Sequence, residues 1–314
     1  GQELAIYLSE NPHYDVYLTR GKELWNPEIQ HYFDERRQDI ISFISSQKTE
    51  MTHLVNEGRV TRVDDIVSHN SVTNDVAVRL YGINKWANEN EMDIVLHIHF
   101  NDYPRKYSRQ EGEYRGVAIY IPERQYSNAQ ATRAVALKIF ARLANFFATS
   151  NLPNEDDGVV EEQDLIAIGS GNTVDGVSML IEYGYIYEPQ FSNPTIRKEI
   201  FKELAFQTYL GLEDFFGETL SIMKSQSTTL LPYDWSASFG KSERANKETL
   251  SLQTALMLYG TYPPQGMTKN DCPLSGFFGE CTRSALATFQ KEMNIIGDGS
   301  VVGPQTRVKL NKLY

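Results

Sequence analysis

The apolar positions of this chain change period along its length, and the changes mark out its elements. Leu4, Tyr7 and Leu8 share a helical face, and Asn11-Pro12 ends that helix because the residue before a proline avoids the helical region. Val16 and Leu18 then alternate with polar neighbours, as in a short strand. A helix feeding a strand normally follows an earlier strand, so the pattern reads as though it starts partway through a domain. Residues 30–75 are polar with intermittent apolar positions, among them Ile40, Ile41, Phe43 and Ile44, which predicts one or two surface helices forming an insertion. Over 75–90, Val76, Leu80, Ile83 and Trp86 line one side of a better helix. The runs at 94–100 and 117–122 (VAIYIP) read as strands, and a long amphipathic helix follows over 127–147 with Ser127 as its N-cap. The acidic run NEDDGVVEEQD, 154–164, reads as a solvated loop and edge element. VSMLIEYG is strand-like, and a helix over 195–216 closes the region.

This alternation of helices with apolar strands is the signature of the α/β class. Residues 224–247 lack periodicity and are rich in Ser, Thr and Lys, as in a linker with a few anchoring aromatics. Beyond them LQTALMLYG, RSALATFQKEM and PQTRVKLNKLY predict three short helices, the last opening on Pro304. The expected organisation is a domain over 1–223, a linker over 224–247 and a small three-helix domain over 248–314.

Charge supports the division. The chain has 314 residues and a formal net charge of -11. Of its 30 Lys/Arg and 41 Asp/Glu, six and five lie from Glu248 onward, leaving 24 and 36 before it. The acidic excess belongs to the first region, and it argues against a nucleic-acid partner, which needs basic surface. No run of 18 or more apolar residues is present, so no membrane span is expected. The two cysteines, Cys272 and Cys281, lie close together in NDCPLSGFFGEC, separated by turn residues. They read as a disulfide, with two buried thiols as the alternative, and a disulfide implies an extracytoplasmic setting.

The candidate chemistry lies in DIVLHIHFND, 93–102, and in the strand around Glu182. In a strand His97 and His99 point the same way. Glu182 sits among Leu180, Ile181 and Tyr183, where a carboxylate is costly unless paired, metal-bound or protonated. Structural roles compete: a satisfied core histidine on one side, an ion pair of Glu182 with Arg79 or Arg115 on the other. His13, His31, His53 and His69 sit in polar helices or turns and read as surface residues.

HIHFND resembles the S-x-H-x-N-A motif of the zinc-dependent N-acetylmuramoyl-L-alanine amidases of the Amidase_3 type. LIEYGYI, 180–186, resembles their V-E-x-G-F-[IL] motif. YDVYLTR resembles their V-x-L-T-R strand, and Arg79 with Asn84 resembles the R-x-x-x-A-N helix ahead of the histidine strand. The motifs fall in family order over residues 1–216, apart from the insertion. This resemblance implies an open mixed sheet flanked by helices and zinc as cofactor. It implies His99 as a zinc ligand, Glu182 as the catalytic glutamate and Asn101 as a site-supporting residue. His97 stands where the family has a small residue, so it is a substitute ligand, a supporting donor or a substrate contact. The family takes its other two ligands, a His and a Glu, from a strand and loop ahead of the first helix. The chain begins at about that helix, and neither His13 nor Glu3 takes their place.

The tail resembles the peptidoglycan-binding domain of the PG_binding_1 type over Leu252 to Leu310, through F-G-x-x-T…A-x-x-x-F-Q and D-G-x-x-x-G-x-x-T-x-x-x-L. Small modules of this kind need a staple or a well-packed core, which Cys272 and Cys281 would supply. Ligand contacts are expected from the loops around Asp298 and Gly299 and from exposed aromatics near Tyr259 and Tyr262, with Phe289 in the core. The expected protein is a monomeric, extracytoplasmic peptidoglycan hydrolase that cuts between N-acetylmuramic acid and L-alanine by a zinc-activated water. Its rivals are a non-catalytic peptidoglycan-binding protein and a zinc carboxypeptidase acting on the stem peptide.

Overall fold

A computed structural model describes residues 1–63, 73–107, 110–217, 227–242 and 244–314. Its elements in chain order are α1 (Gln2–Ser9), α2 (Pro27–Glu35), α3 (Arg37–Asn56), α4 (Asn74–Glu89), β1 (Ile94–Asn101), β2 (Ala118–Pro122), α5 (Ala129–Phe146), β3 (Val159–Glu162) and β4 (Val177–Tyr185). They continue with α6 (Pro189–Ser192), α7 (Pro194–Phe216), β5 (Phe239–Gly240), α8 (Lys247–Tyr259), α9 (Glu280–Glu292), β6 (Val301–Val302) and α10 (Pro304–Leu313). Two compact units form. One holds residues 1–100, 117–140 and 150–183, and the other holds 101–116, 141–149 and 184–314.

The sheet has the order β1-β4-β2-β3 and is mixed. β2 runs parallel to β3 and antiparallel to β4, with Ala118 opposite Glu182 and Tyr120 opposite Leu180. Every residue of β2 is buried, as its unbroken apolar sequence demands of a central strand. Ala118, Tyr120, Val160 and Leu180 form one core cluster with Ala167 and Ile168 from the short 3₁₀ turn Ile166–Ile168. Together with the helices around it, this is the open mixed α/β sheet that the family resemblance implies.

The insertion over 30–75 is more than a surface feature. Ile29, Phe33 and Ile40 of α2 and α3 bury against Tyr81, Ile83 and Trp86 of α4, and Met51 and Val60 pack with Tyr126 and Ala129. The expected insertion also runs through 64–72, including His69, which lies outside the described residues.

Three local expectations need correction. Val16 and Leu18 are each 36% exposed and join no strand ladder among the described residues; the nearest pairing is an isolated bridge between Arg20 and Trp25. Helix α5 starts at Ala129, not at Ser127. The Ser127 hydroxyl is spent on Asn172 Oδ1 at 3.1 Å, while Asn128 Nδ2 donates to the Gly176 carbonyl at 2.8 Å and so ties the start of α5 to the approach to β4. In the acidic run β3 is the edge strand, yet Glu155 and Glu162 are buried rather than solvated.

In the second unit α7 begins where Asn193 accepts from the N–H groups of Thr195 and Ile196 and Pro194 takes the first helical position. The C-terminal helices α8, α9 and α10 form as expected. Two buried glutamines organise them. Gln253 Nε2 donates to the Phe277 carbonyl and to Thr282 Oγ1, and its Oε1 accepts from Gly276. Gln290 repeats the arrangement with the Val301 carbonyl, Thr306 Oγ1 and the Gly299 N–H. Gly299 has φ of 79°, and a Cβ there would lie 2.0 Å from the Arg283 carbonyl oxygen, so no other residue fits. Trp235 is 1% exposed and donates through Nε1 to the Glu248 carbonyl, which fixes this stretch of the expected linker on the helices. Cys272 and Cys281 are joined in a disulfide.

Candidate active site

Strand alternation places Val95, His97, His99 and Asn101 on one face of β1. β4, which carries Glu182, is its hydrogen-bonded neighbour, so the imidazoles and the carboxyl sit on strands about 4.8 Å apart. The Val177 N–H donates to the Asp93 carbonyl at 2.9 Å where the two strands start.

His99 is exposed, whereas His97 is half-buried and its Nε2 is buried without a hydrogen-bond partner. Burial lowers the pKa of both rings; for His97, with the charge of His99 added, it falls to about 4. The His97 imidazole is therefore neutral at pH 7, with its buried Nε2 unpartnered, and the His99 pKa moves in the same direction. Glu182 is affected in the opposite sense. Desolvation, with the charge of Glu155 added, pushes its carboxyl up to about 8. Its Oε2 is buried without a partner. The ion pair open to Glu182 in the sequence does not form: Arg79 pairs with Asp75 at 3.3 Å and Arg115 with Glu111 at 2.8 Å. A carboxyl held protonated at neutral pH in this way can give up a proton and take it back.

Asn101 ends β1. Its Oδ1 accepts from the Asp102 N–H at 2.9 Å, and its carbonyl accepts from the Ile186 N–H at 2.9 Å. Glu155 was missed by sequence reasoning because it sits in a run of acidic residues. It is buried, and the Tyr120 hydroxyl donates to it. The available signal was the alternation in VAIYIP, which turns Tyr120 to the same face as Glu182.

Among the described residues, no group of three or more His, Cys, Asp or Glu side chains is placed to hold a metal ion. His97 and His99 have the neutral nitrogens that zinc takes, but two imidazoles fall short of the three protein ligands of a catalytic zinc. The described residues thus do not complete the implied site. His13, His31 and His53 are exposed and stand apart from this chemistry. A cavity of about 260 Å³, lined by residues such as Lys48, Arg62, Tyr81, Asp164 and Thr173, contains none of the expected site residues.

Fold and side chains together define an α/β protein with a buried carboxyl beside a two-histidine strand. Residues 58–213, a segment that contains both strands of the site, match the model of the family described as N-acetylmuramoyl-L-alanine amidase. Solved structures similar to the chain include the N-acetylmuramyl-L-alanine amidase Ami1 from Mycobacterium smegmatis, 18% identical over 57% of this chain and 77% of that one, with a TM-score of 0.35. An N-acetylmuramoyl-L-alanine amidase from Clostridium difficile 630 is 12% identical over 70% and 81%, with a TM-score of 0.39. The catalytic domain of the amidase CwlV from Bacillus (Paenibacillus) polymyxa var. colistinus is 17% identical over 56% and 82%, with a TM-score of 0.30. No curated relative matches the chain.

Proposed function

We propose that this chain hydrolyses peptidoglycan at the amide bond between N-acetylmuramic acid and L-alanine. The observation that carries the reading is the Glu182 carboxyl, its Oε2 buried without a partner, on the strand beside that of His97 and His99 and within the segment that matches the amidase family. When the amide breaks, Glu182 gives its proton to the departing L-alanine amine, and the carboxylate left behind recovers a proton from the attacking water. His99 is its neighbour as a metal ligand, with His97 beside it, and Asn101 shapes the strand end.

Zinc enters this reading as the cofactor that such amidases use to polarise the carbonyl and activate water. Because the described residues do not complete a ligand set, the steps assigned to this chain are limited to those of Glu182. The organisation proposed with it is an amidase domain over 1–223, a linker over 224–247 and a peptidoglycan-binding domain over 248–314. The three helices, their paired glutamine anchors and the disulfide support the last of these. Within it Phe289 is core, stacked edge-to-face on Tyr259 at 4.9 Å. Tyr262 is buried, its hydroxyl donating to the Pro273 carbonyl, and is withdrawn as an exposed contact. An extracytoplasmic location accords with the disulfide, and no described helix is long and apolar enough to cross a membrane.

The test is incubation with purified peptidoglycan, with zinc content measured on the same sample. New amino groups on L-alanine are the expected product. Release of D-alanine instead would move the activity to the stem peptide, and binding without any new amine would leave a wall-binding protein.

A further inference from the structure

Directly after β1 the chain enters a turn rich in tyrosine, and the second unit holds it on a pedestal. The pedestal is Tyr187. Its hydroxyl donates to the Tyr114 carbonyl at 2.8 Å, and its ring lies 4.3 Å beneath the Arg105 guanidinium. Gly112 closes against the same ring: a Cβ there would meet Tyr187 at 2.2 Å. Arg105 is further fixed by Asp102 at 2.7 Å. This support is spent on presenting aromatic surface. Tyr103 packs edge-on against Tyr114 at 4.6 Å, with a hydrogen bond between their side chains. Tyr107 is 64% exposed and Tyr103 40%, and the Lys106 ammonium lies 5.4 Å from the centre of the Tyr107 ring.

Two exposed rings would be unremarked on a loose loop. Here Tyr103 packs on Tyr114, whose carbonyl accepts the Tyr187 hydroxyl, and Arg105, two residues before Tyr107, is stacked on the Tyr187 ring, so the backbone that carries both rings is anchored and has less freedom to lose on binding. The surface combines apolar ring faces with phenolic hydroxyls and an ammonium group. A pyranose matches it, since it offers one face of C–H bonds and an edge of hydroxyl and acetamido groups. We infer that Tyr103 and Tyr107 form a stacking platform for the N-acetylated sugars of the glycan strand, with Lys106 donating to an acetamido carbonyl. The inference rests on the peptidoglycan reading and adds to it a saccharide contact outside the C-terminal helices.

The full chain is titrated with a soluble N-acetylglucosamine oligosaccharide, following affinity by calorimetry and backbone hydrogen exchange by mass spectrometry. Protection is expected within 102–107 and 110–116. Tyr107→Ala and Tyr103→Ala weaken binding about fivefold or more each, and Tyr107→Trp, which keeps a ring, retains it. An unprotected segment in the parent, or equal affinity in Tyr107→Ala with an unchanged melting temperature, overturns the platform. The two readings separate cleanly. If the parent releases L-alanine amines while Tyr107→Ala binds as before, the platform falls and the hydrolase stands. If Tyr107→Ala loses the sugar and the parent releases no amine, the hydrolase falls and the saccharide site stands.

Discussion

Glu182 stands opposite Ala118 in the antiparallel pairing of β2 and β4, so the side chain across from the buried carboxyl is a methyl group that cannot hydrogen-bond to it. Desolvation goes uncompensated, and the group is costly to ionise. Glu182→Gln keeps the shape and removes the titration. Hydrolysis of peptidoglycan is expected to fall at least about 100-fold, the lower end of general acid–base contributions. Stability should move the other way. The folded pKa is raised from 4.5 to about 8. The group's contribution is therefore fully present below 4.5 and is lost as pH rises through about 8. Melting temperatures of the metal-free parent and Glu182→Gln, taken across that window, should diverge, with the parent losing more as pH rises. Parallel curves would show that Glu182 is not held protonated.

Glu155 offers a finer test. It is buried on the side of the sheet that Tyr120 faces, accepts the Tyr120 hydroxyl, and its charge raises Glu182 after burial itself. Glu155→Gln keeps an acceptor for Tyr120 but removes the charge. The Glu182 pKa should drop, and the alkaline limb of the rate profile should move to lower pH. A Glu155→Gln profile superimposable on the parent's would remove Glu155 from the site.

Glu203, fully buried on α7, has a different use. It accepts from Gln207 Nε2 at 2.7 Å, from the Thr229 N–H at 2.7 Å and from the Thr229 hydroxyl at 2.6 Å. Gln207 also donates to the Ser227 carbonyl at 2.8 Å. Together they clamp the chain at 227–229 onto α7. Glu203→Ala strands these donors in the interior and is expected to cost about 2–4 kcal/mol. Glu203→Gln keeps one acceptor and should cost less. Chemical denaturation of the three proteins orders them parent, Gln, Ala; an alanine variant as stable as the parent would mean that the clamp contributes nothing.

The apolar pattern located α4, β1, β2, β4 and the C-terminal helices: α4 through a buried stripe, β2 and β4 through apolar runs buried on both faces. Expectation failed where a tertiary partner decides. Val16 and Leu18 alternate like a strand, but alternation cannot supply a neighbouring strand. Ser127 is a good cap by type, yet Asn172 claims its hydroxyl. Glu155 and Glu162 look solvated in an acidic run, and only the packing of β3 beside β2 shows them buried. In the tail the motif residues proved structural. Gly299, Gln290 and Thr306 are linked by one buried amide, which accounts physically for that spacing of Gln, Gly and Thr. For the candidate site, the two histidines and Glu182 could be read from the sequence individually. Their protonation states could not, since those depend on how deeply each strand is covered.

Arg79 and Asn84 entered the argument together as one helix motif, and the structure gives them unequal work. Arg79 reaches Asp75 on the same helix at 3.3 Å, with both side chains well exposed, an ion pair of the kind that contributes little. Asn84 is fully buried, and its Nδ2 donates to the Ile166 carbonyl at 2.8 Å and to Thr173 Oγ1 at 3.1 Å. It ties α4 to the 3₁₀ turn whose Ala167 and Ile168 pack against β2 and β4 in the core cluster. Asn84→Ala removes both bonds; the Ile166 carbonyl keeps the Gly169 N–H as a donor, while the buried Thr173 hydroxyl loses the Asn84 amide, a loss expected at about 1–3 kcal/mol. Arg79→Ala should stay within about 0.5 kcal/mol of the parent. Urea denaturation of the two variants measures the contrast directly. If Arg79→Ala proved the more damaging, Arg79 would have to act through a contact other than Asp75.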